Sequence, residues 1–184
     1  MVKRDFIRNI LLVLLAVCVL LLLRIFVFST YRVRQDDANS YLKAGDLITI
    51  SKKEKPDYKD FVVYQVAGKS YTGRIIGEPE DSVTYMDDIF YLNNKVEGQS
   101  YIEKLKSSYH AKNGDNPFTA DFTIATVTKG KYQEIPKGRY LILNDNRTNT
   151  KDSRTFGLIK KSQIKGVVTF RILPLKTFGF VKNE

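Results

Sequence analysis

An apolar run near the N-terminus limits where the rest of the chain can be located and how it can fold. Residues 10–23 contain no charged side chain, and residues 25–28 extend the run past Arg24. Together they reach roughly the 20 residues that a helix needs to cross a bilayer. Arg24 can place its guanidinium at the headgroups while its stem lies along the helix. We therefore predict a transmembrane anchor over residues 10–28 that follows a cytoplasmic tail of residues 1–9.

Two other interpretations of the apolar run are weaker. A cleaved signal peptide needs small residues after its core, and Val27, Phe28 and Ser29 form an aromatic-crowded candidate site. A lipoprotein box ending at Cys18 would have the bulky Val17, and the run continues beyond it. Basic residues flank the run on both sides, so charge does not settle the orientation. Because large domains translocate largely regardless of their charge, we expect a single-pass cell-membrane protein with its body on the extracellular face.

The composition of the chain limits the classes of partner that it could bind. The net charge of +10 could attract nucleic acid or anionic lipid, but the basic residues are scattered and no nucleic-acid motif is present. We expect a lipid bilayer as partner, through residues 10–28, and no nucleic acid. The single cysteine allows neither an intrachain disulfide nor a cysteine metal site. No cofactor or metal is expected, and the oligomeric state stays open.

The body after the anchor has the pattern of antiparallel β-structure. Short runs rich in β-branched and aromatic residues predict strands at 47–50, 61–66, 82–85, 89–92, 139–143 and 166–172. Few stretches could be amphipathic helices. We predict a mainly β fold with a core of residues 31–84 and 136–184 and an inserted lobe of residues 85–135.

The lobe contains a turn signal at residues 113–117, between a segment at 101–109 and a strand candidate at 119–127. The only histidine, His110, lies beside this turn. Without a partner acid or serine signature nearby, it is predicted to be a solvated loop residue.

A dense polar block follows the strand at 139–143 and reads NDNRTNTKDSRTFG from Asn144 to Gly157. So many polar groups are costly unless they satisfy one another, and Asp152 and Arg154 are spaced to pair. The block resembles the GDNRxxSxDSRxxG signature of type I signal peptidases, with Asn144 in place of the first glycine and Thr150 in place of the first serine.

Three further segments resemble the same family in order and spacing. Residues 42–46 are similar to the end of its SMxPTLxxGD box, residues 59–64 to its GDIVVF strand, and residues 71–81 to YxKRVIGxPGD. With the anchor, the resemblance covers nearly the whole chain. It implies a signal-peptidase-like β-sheet body, an outward orientation and a peptide-binding cleft.

The sequence departs from the family where the reaction takes place. Counting from Gly45 and Asp46 puts Asp37 at the nucleophilic serine, and counting from Arg74 puts Gly73 at the lysine base. A serine attacks a peptide carbonyl only when a neighbouring base removes its proton. Gly73 offers no base, and the charge of Asp37 would oppose a developing oxyanion. The sequence alone therefore predicts a pseudoenzyme, not an enzyme, with no catalytic residues.

Two routes to a replacement catalytic site are unfavourable. Ser40 lies too close to Gly45 in sequence, and Lys69 lies roughly 13 Å from Gly73 along an extended strand at 3.3 Å per residue. A paired-carboxylate site could combine Asp37 with Asp36, Asp145 or Asp152, but adjacent carboxylates point apart in a strand.

The resemblance assigns the remaining site residues. The framework of the former active site comprises Asp145, Thr150, Asp152, Ser153 and Arg154. The cleft would have two strand walls, formed by Val33, Arg34, Gln35, Asp36, Lys69, Ser70, Tyr71 and Thr72, although plain sheet pairing explains these residues equally well.

The Asp and Gly replacements resemble the signal-peptidase-like proteins of Gram-positive pilus loci (SipA type). This implies a membrane-tethered chaperone that binds pilin precursors or the pilin sortase and assists pilus polymerisation. An unconventional active signal peptidase and a regulator of an active one remain as alternatives.

Overall fold

The computed structural model describes residues 2–39 and 41–181, beginning with a long helix. Helix α1 (Val2–Phe26) exposes its large apolar side chains between Phe6 and Leu23, and its segment from Arg4 to Arg24 is long and apolar enough to cross a membrane. The helix starts within the predicted tail and ends before Phe28, because Phe28 already pairs with Ser51 in the sheet. Only Val27 separates the helix from the first strand, so the body follows the anchor without a linker.

The body is mainly antiparallel β-sheet, as predicted. Its strands are β1 (Phe28–Arg32), β2 (Leu47–Ser51), β3 (Phe61–Val66), β4 (Lys69–Gly77), β5 (Val83–Met86), β6 (Ile89–Leu92), β7 (Lys95–Val96), β8 (Phe122–Thr123), β9 (Arg139–Leu143), β10 (Ile159–Lys160), β11 (Ile164–Leu173) and β12 (Gly179–Phe180). The larger sheet has the order β1-β2-β11-β3-β4-β9-β10, with β12 beside β11. A smaller sheet has the order β7-β6-β5-β8.

Tight turns in the smaller sheet use the residues that tolerate a left-handed backbone. Asp87 and Asp88 join β5 to β6 with φ of 52° and 61°, and Asn93 and Asn94 join β6 to β7 with φ of 53° and 62°. Short polar side chains reduce the cost of this conformation.

The lobe contains a helix that the sequence pattern did not predict. Helix α2 (Ser100–Asn113) buries only Tyr101 and Ile102, so its apolar periodicity is weak. It ends at Gly114, whose φ of 63° stops the helix. The predicted strand at 119–127 is wrong in its second half, because residues after β8 form the short helix α3 (Ile124–Val127).

His110 lies on α2 and not in a loop. Its Nε2 is 3.2 Å from Asp88 Oδ2, and its Nδ1 is 3.0 Å from the carbonyl of Gly114. The ring therefore ties the helix to the β5–β6 turn. The prediction of a solvated loop residue is wrong because the helix places the ring over that turn.

The packing places strands β4 and β9 between two parts of the core. Ile76, Leu141 and Leu143 belong to the apolar cluster beneath the lobe. Ile75 and Ile142, which alternate with them, belong to a cluster on the other face. This alternation follows the period of a strand buried on both faces. The second half of β4, next to the candidate site, is thus packed on both faces.

Candidate functional site

The polar block after β9 folds around one buried carboxylate. Asp152 is fully buried and accepts hydrogen bonds from the backbone N–H of Asn144 (2.9 Å) and of Arg154 (3.0 Å). The Arg154 guanidinium donates to both of its oxygens, at 3.0 and 2.7 Å. Next to it, the Ser153 Oγ accepts the backbone N–H of Ile142 at 2.9 Å. Asp152 caps the short helix α4 (Ser153–Phe156) and ties it to β9.

The loop between β9 and α4 is closed by the same arginine. Arg154 Nη1 donates to the carbonyl of Arg147 at 2.8 Å, and its Nη2 donates to the carbonyl of Asn149 at 2.9 Å. The carbonyl of Thr150 accepts the hydroxyl of Thr155 at 2.5 Å. Most polar groups of the block therefore satisfy one another, as the sequence required, whereas Arg147 Nε and Nη2 are buried without a hydrogen-bond partner.

A second buried ion pair joins β4 to the polar block. Arg74 and Asp145 are both fully buried and form a two-armed pair with distances of 2.9 and 2.8 Å. The Arg74 guanidinium also donates to the carbonyl of Lys59 and lies 4.0 Å from the ring centre of Phe61 and 4.1 Å from that of Tyr101. The hydrogen-bond partners and aromatic faces around this pair compensate for the water that both groups lose on burial.

Position 37 is the centre of a compact hydrogen-bond cluster. Asp37 is 4% exposed, and its Oδ2 accepts the Tyr31 hydroxyl at 2.7 Å and Arg34 Nε at 3.1 Å. Its Oδ1 accepts the backbone N–H of Thr72 at 3.3 Å, and its carbonyl accepts the Thr72 hydroxyl at 3.2 Å. The carboxylate thus binds strand β4 directly.

Position 73 has no room for a side chain. Gly73 lies in β4 opposite Val62 of β3. A Cβ placed on it would lie 2.6 Å from Ile142 Cγ2 and 3.1 Å from the carbonyl oxygen of Leu143. Real Cβ contacts of 2.6 Å essentially do not occur, so β9 occupies the space that a side chain would need.

One edge of β4 lacks a strand partner over its first half. The strand pairs with β3 along residues 69–74, whereas β9 pairs with it only from Arg74 onward. On the unpaired edge, the Ser70 carbonyl accepts Arg34 Nη2 and the Thr72 N–H donates to Asp37. Side chains instead of a neighbouring strand therefore satisfy this edge.

The other predicted cleft wall is not a strand. Val33 exchanges backbone hydrogen bonds with Gly45 and Asp46, Arg34 is extended, and Gln35–Asp37 form a 3-10 turn. The prediction that residues 33–36 form a strand wall is therefore wrong, because the turn is needed to bring the Asp37 carboxylate onto β4. Lys69, Ser70, Tyr71 and Thr72 do lie on a strand.

Several charges of the site are fixed by their surroundings. Burial, aided by the hydrogen bond to Asp37, raises the pKa of the Tyr31 phenol, which stays a neutral donor at physiological pH. The hydrogen bond to Asp37 raises the pKa of Arg34, and the hydrogen bond to Lys151 lowers the pKa of Asp36. Asp36 therefore presents a carboxylate to Lys151 at neutral pH.

The four acidic residues considered as a paired-carboxylate site each bind a different cation. Asp36 binds Lys151, Asp37 binds Arg34, Asp145 binds Arg74 and Asp152 binds Arg154. None of these contacts pairs one of the four carboxyl groups with another. Among the described residues, no group of three or more histidine, cysteine or acidic side chains could hold a metal ion.

Sequence reasoning missed three side chains of the cluster. Tyr31 was not singled out, because nothing in the sequence signalled that its hydroxyl reaches Asp37. Lys151 and Asn149 occupy variable positions of the polar block, yet both contact Asp36. The fold brings Asn149 and Lys151 to Asp36 across more than a hundred residues of sequence, a pairing that no local pattern contains.

The helix, the sheet and the polar framework together define a class of protein. An apolar helix leads into an antiparallel body in which one edge of β4 has no strand partner over its first half, next to two buried arginine–carboxylate pairs. This is the arrangement that the type I signal peptidase signature implies.

The comparisons agree with that class. The family model described as "Signal peptidase, peptidase S26" matches residues 6–173, and the chain belongs to this family. Signal peptidase I of Bacillus caldolyticus is 39% identical over 170 residues, which cover 90% of each chain. Signal peptidase IB of Staphylococcus aureus (strain MRSA252) is 33% identical over 188 residues, covering 98% of this chain and 96% of the relative.

A solved structure supports the fold. The crystal structure of a signal peptidase I from Enterococcus faecalis V583 is 31% identical in sequence and superposes with a TM-score of 0.57. The match covers 63% of this chain and 98% of that one. Together, the apolar helix and these relatives are consistent with a membrane-anchored protein.

The prediction that the chain is not an enzyme is contradicted by these comparisons. Relatives with 33–39% identity over most of the chain are named as signal peptidases. The prediction relied on positions 37 and 73 alone, whereas the similarity extends through the anchor, the sheet and the polar framework. Two side chains were too narrow a basis for assigning the whole chain to a class without activity.

Proposed function

We propose that this chain binds the extended segment around the cleavage site of exported precursor proteins, as an added strand on the unpaired edge of β4. The observation that carries the proposal is the edge itself. Ser70 and Thr72 direct a carbonyl and an N–H away from β3, which is the pattern that a peptide strand can pair with. Binding by backbone groups accepts many precursor sequences.

The position of the edge suits substrates that are themselves held in the membrane. Tyr31, on the strand that directly follows the anchor, reaches Asp37 beside the edge. At about 3.3 Å per residue, the five residues of β1 place this contact within about 20 Å of the end of the helix. A precursor whose own apolar segment crosses the bilayer would present its following residues at this height.

We place the N-terminus in the cytoplasm and the body on the extracellular face, as the short tail suggests. Labelling intact cells with a membrane-impermeant maleimide tests this placement. In a Cys18→Ser background, Ser107→Cys on the exposed side of α2 should react without lysis. Asp5→Cys should react only after lysis, and the opposite pattern would reverse the topology.

A second candidate function is hydrolysis of the precursor, and the relatives named as signal peptidases favour it. Asp37 and Gly73 do not supply a serine and a lysine, so hydrolysis would need a nucleophile from another part of the cleft. The same incubation that measures binding can read cleavage, by mass spectrometry of the new peptide ends.

Pilin precursors are the partners that we propose first, with the pilin sortase as the other candidate. The support is the Asp37 and Gly73 combination, which resembles that of signal-peptidase-like proteins from pilus loci. A role in assisting pilus polymerisation follows from that resemblance. A pilin precursor peptide should then bind more tightly than a secretory precursor peptide of equal length and charge.

Backbone-methylated peptides provide the sharpest test of the binding mode. The full-length protein in lipid nanodiscs is titrated with a fluorescent precursor peptide that carries N-methyl groups on alternate residues. Because alternate N–H groups of an added strand face opposite directions, one methylation register should weaken binding at least tenfold. The other register should bind like the unmodified peptide and is the matched control.

Two results would contradict the proposal. Equal affinity for both registers would show that the peptide does not pair with a strand edge. No measurable binding of any precursor peptide to the nanodisc-embedded chain would exclude precursor binding altogether.

A further inference from the structure

The turn that carries Asp37 occupies the edge that the proposed peptide would need. We define the strap as residues 33–37. Within it, Asp37 accepts the Thr72 N–H, and Arg34 donates to the Ser70 carbonyl. These are one donor and one acceptor of the unpaired half of β4. A peptide strand pairing with the same groups must displace both side chains.

The strap is held from its other side by the polar loop. Lys151 Nζ lies 3.0 Å from Asp36 Oδ2, and Asn149 Nδ2 donates to the Asp36 carbonyl at 2.7 Å. Both contacts are at the surface, where the two charged side chains are about 60% exposed. The strap is thus fixed strongly to β4 through buried Asp37 and weakly to the loop through Asp36.

From these contacts we infer that the strap is an intramolecular gate over the peptide edge, and that Asp36, Asn149 and Lys151 position it in the closed state. The inference depends on the proposed peptide binding and concerns its regulation. A peptide strand replaces the contacts of Arg34 and Asp37 with its own backbone groups. The strap then swings away from β4, and the loop contacts set how readily it does so.

The gate makes a directional prediction for affinity. Weakening the closed state lowers the cost of opening, so the peptide binds more tightly although no residue that touches it has changed. The double variant Asp36→Asn with Lys151→Met removes an exposed ion pair. Pairs of this kind have small measured energies, which correspond to an affinity about two- to fivefold higher.

The matched control removes a similar pair far from the strap. Glu80, three residues beyond the end of β4, forms an exposed ion pair with Lys137 at 3.4 Å. The double variant Glu80→Gln with Lys137→Met should leave peptide affinity unchanged. Both double variants change exposed side chains only, so both should fold.

A second variant removes the contact between Asp37 and strand β4. Asp37→Ala removes the acceptor of the Thr72 N–H and frees the edge directly. Because a charge-assisted bond is lost from the closed state, peptide affinity should rise roughly tenfold or more. The surface double variant keeps the gate testable if Asp37→Ala does not fold.

Amide hydrogen exchange supplies a readout that affinity alone does not give. In the closed state the Thr72 N–H is bonded to Asp37, so its exchange requires opening of the strap. The Asp36 and Lys151 double variant should exchange this amide about two- to fivefold faster than the unmodified chain. The Glu80 and Lys137 variant should not change its rate.

The outcomes separate the gate from the binding function. Tighter peptide binding with faster Thr72 exchange supports the gate. If the unmodified chain binds peptide but the strap variants bind equally or more weakly, the gate is wrong while the proposed function stands. If no variant binds any precursor peptide, the proposed function fails and the gate fails with it.

Discussion

The residue at position 73 shows how a local packing constraint can define a site. A Cβ on Gly73 would lie 2.6 Å from Ile142 Cγ2, because β9 packs closely against β4 at this point. Overpacking a well-packed interior costs about 1–3 kcal/mol. Gly73→Ala should therefore lower the free energy of unfolding by about that amount, measured by guanidinium unfolding of the full chain in detergent.

Two further variants decide whether the contact with Ile142 is the cause. Ile142→Leu removes the methyl group that the new Cβ would meet, so it should restore part of the stability lost in Gly73→Ala. Gly98 has open space around its Cβ position and no positive φ, and Gly98→Ala should be close to neutral. Equal losses in Gly73→Ala and Gly98→Ala would contradict the packing argument.

Among the ion pairs of the framework, the pair of Arg74 and Asp145 should lower the free energy of unfolding most when one partner is replaced. Both side chains are fully buried, and replacing one partner leaves an uncompensated charge inside the protein. Asp145→Asn keeps the volume but removes the charge, and should reduce the free energy of unfolding by about 3–5 kcal/mol. Tyrosine fluorescence can follow unfolding, since the chain has no tryptophan.

The control for this substitution is a solvent-exposed ion pair on the protein surface. Glu80 pairs with Lys137 at 3.4 Å, and their side chains are 70% and 88% exposed. Glu80→Gln should change stability by less than about 1 kcal/mol. If Asp145→Asn had an equally small effect, the buried pair would not hold β4 to the polar block.

At the scale of the elements, strand β11 depends on one glycine for its contact with β2. The register of β11 against β3 shifts between Ile164 and Gly166, and a Cβ on Gly166 would lie 2.4 Å from the Ser51 carbonyl oxygen. Backbone cannot yield as a flexible side chain can. Gly166→Ala should therefore separate the two strands locally and cost about 3 kcal/mol, at the upper end for overpacking.

Hydrogen exchange can localise that effect. Amides of β2 and β11 near Ser51 and Val167 should exchange faster in Gly166→Ala, while those of β5 and β6 in the smaller sheet should not change. A uniform increase in both sheets would indicate global destabilisation instead of a local loss of pairing.

The elements also show where sequence reasoning succeeded and where it could not. The strands β3 and β9 were predicted at their observed bounds because each contains four successive buried apolar or aromatic residues. Helix α2 was missed because it contributes only two fully buried side chains, which leaves little periodicity. Helices of this kind are stabilised by tertiary contacts that a local pattern does not contain.

One part of the candidate site was likewise predictable from the sequence, and another part was not. Its framework was predictable because Asp152, Ser153 and Arg154 bond within a short, ordered stretch of sequence. Residues 33–36 of the strap were predicted as a strand, whereas Gln35–Asp37 form a turn, because contacts with Thr72 and Lys151 from distant parts of the chain set its conformation. Pairings over such separations depend on the whole fold, and no local spacing encodes them.

For the molecule as a whole, the direct connection between anchor and body determines which surface faces the bilayer. Strand β1 follows α1 after one residue; β2 pairs with β1, β11 pairs with β2, and β12 pairs with β11. Beyond them, Phe170 contacts Phe178 and Phe180 edge to face, and Phe180 remains 84% exposed. Phe28 and Phe170 line an apolar hollow of about 460 Å³ with Phe180.

Exposed aromatic side chains beside an anchor are suited to the bilayer interface, where their rings lie at the headgroup level. We therefore expect Phe180 to contact lipid in the full-length protein. In a Cys18→Ser background, a fluorophore on Phe180→Cys should be quenched strongly by nanodisc lipids that carry a doxyl group near the headgroup. A fluorophore on Ser107→Cys, on the exposed face of α2, should be quenched weakly or not at all. Equal quenching at both positions would mean that the body does not rest on the membrane by this surface. The unpaired edge of β4 would then lose its fixed height above the bilayer, which the proposed binding of membrane-held precursors requires.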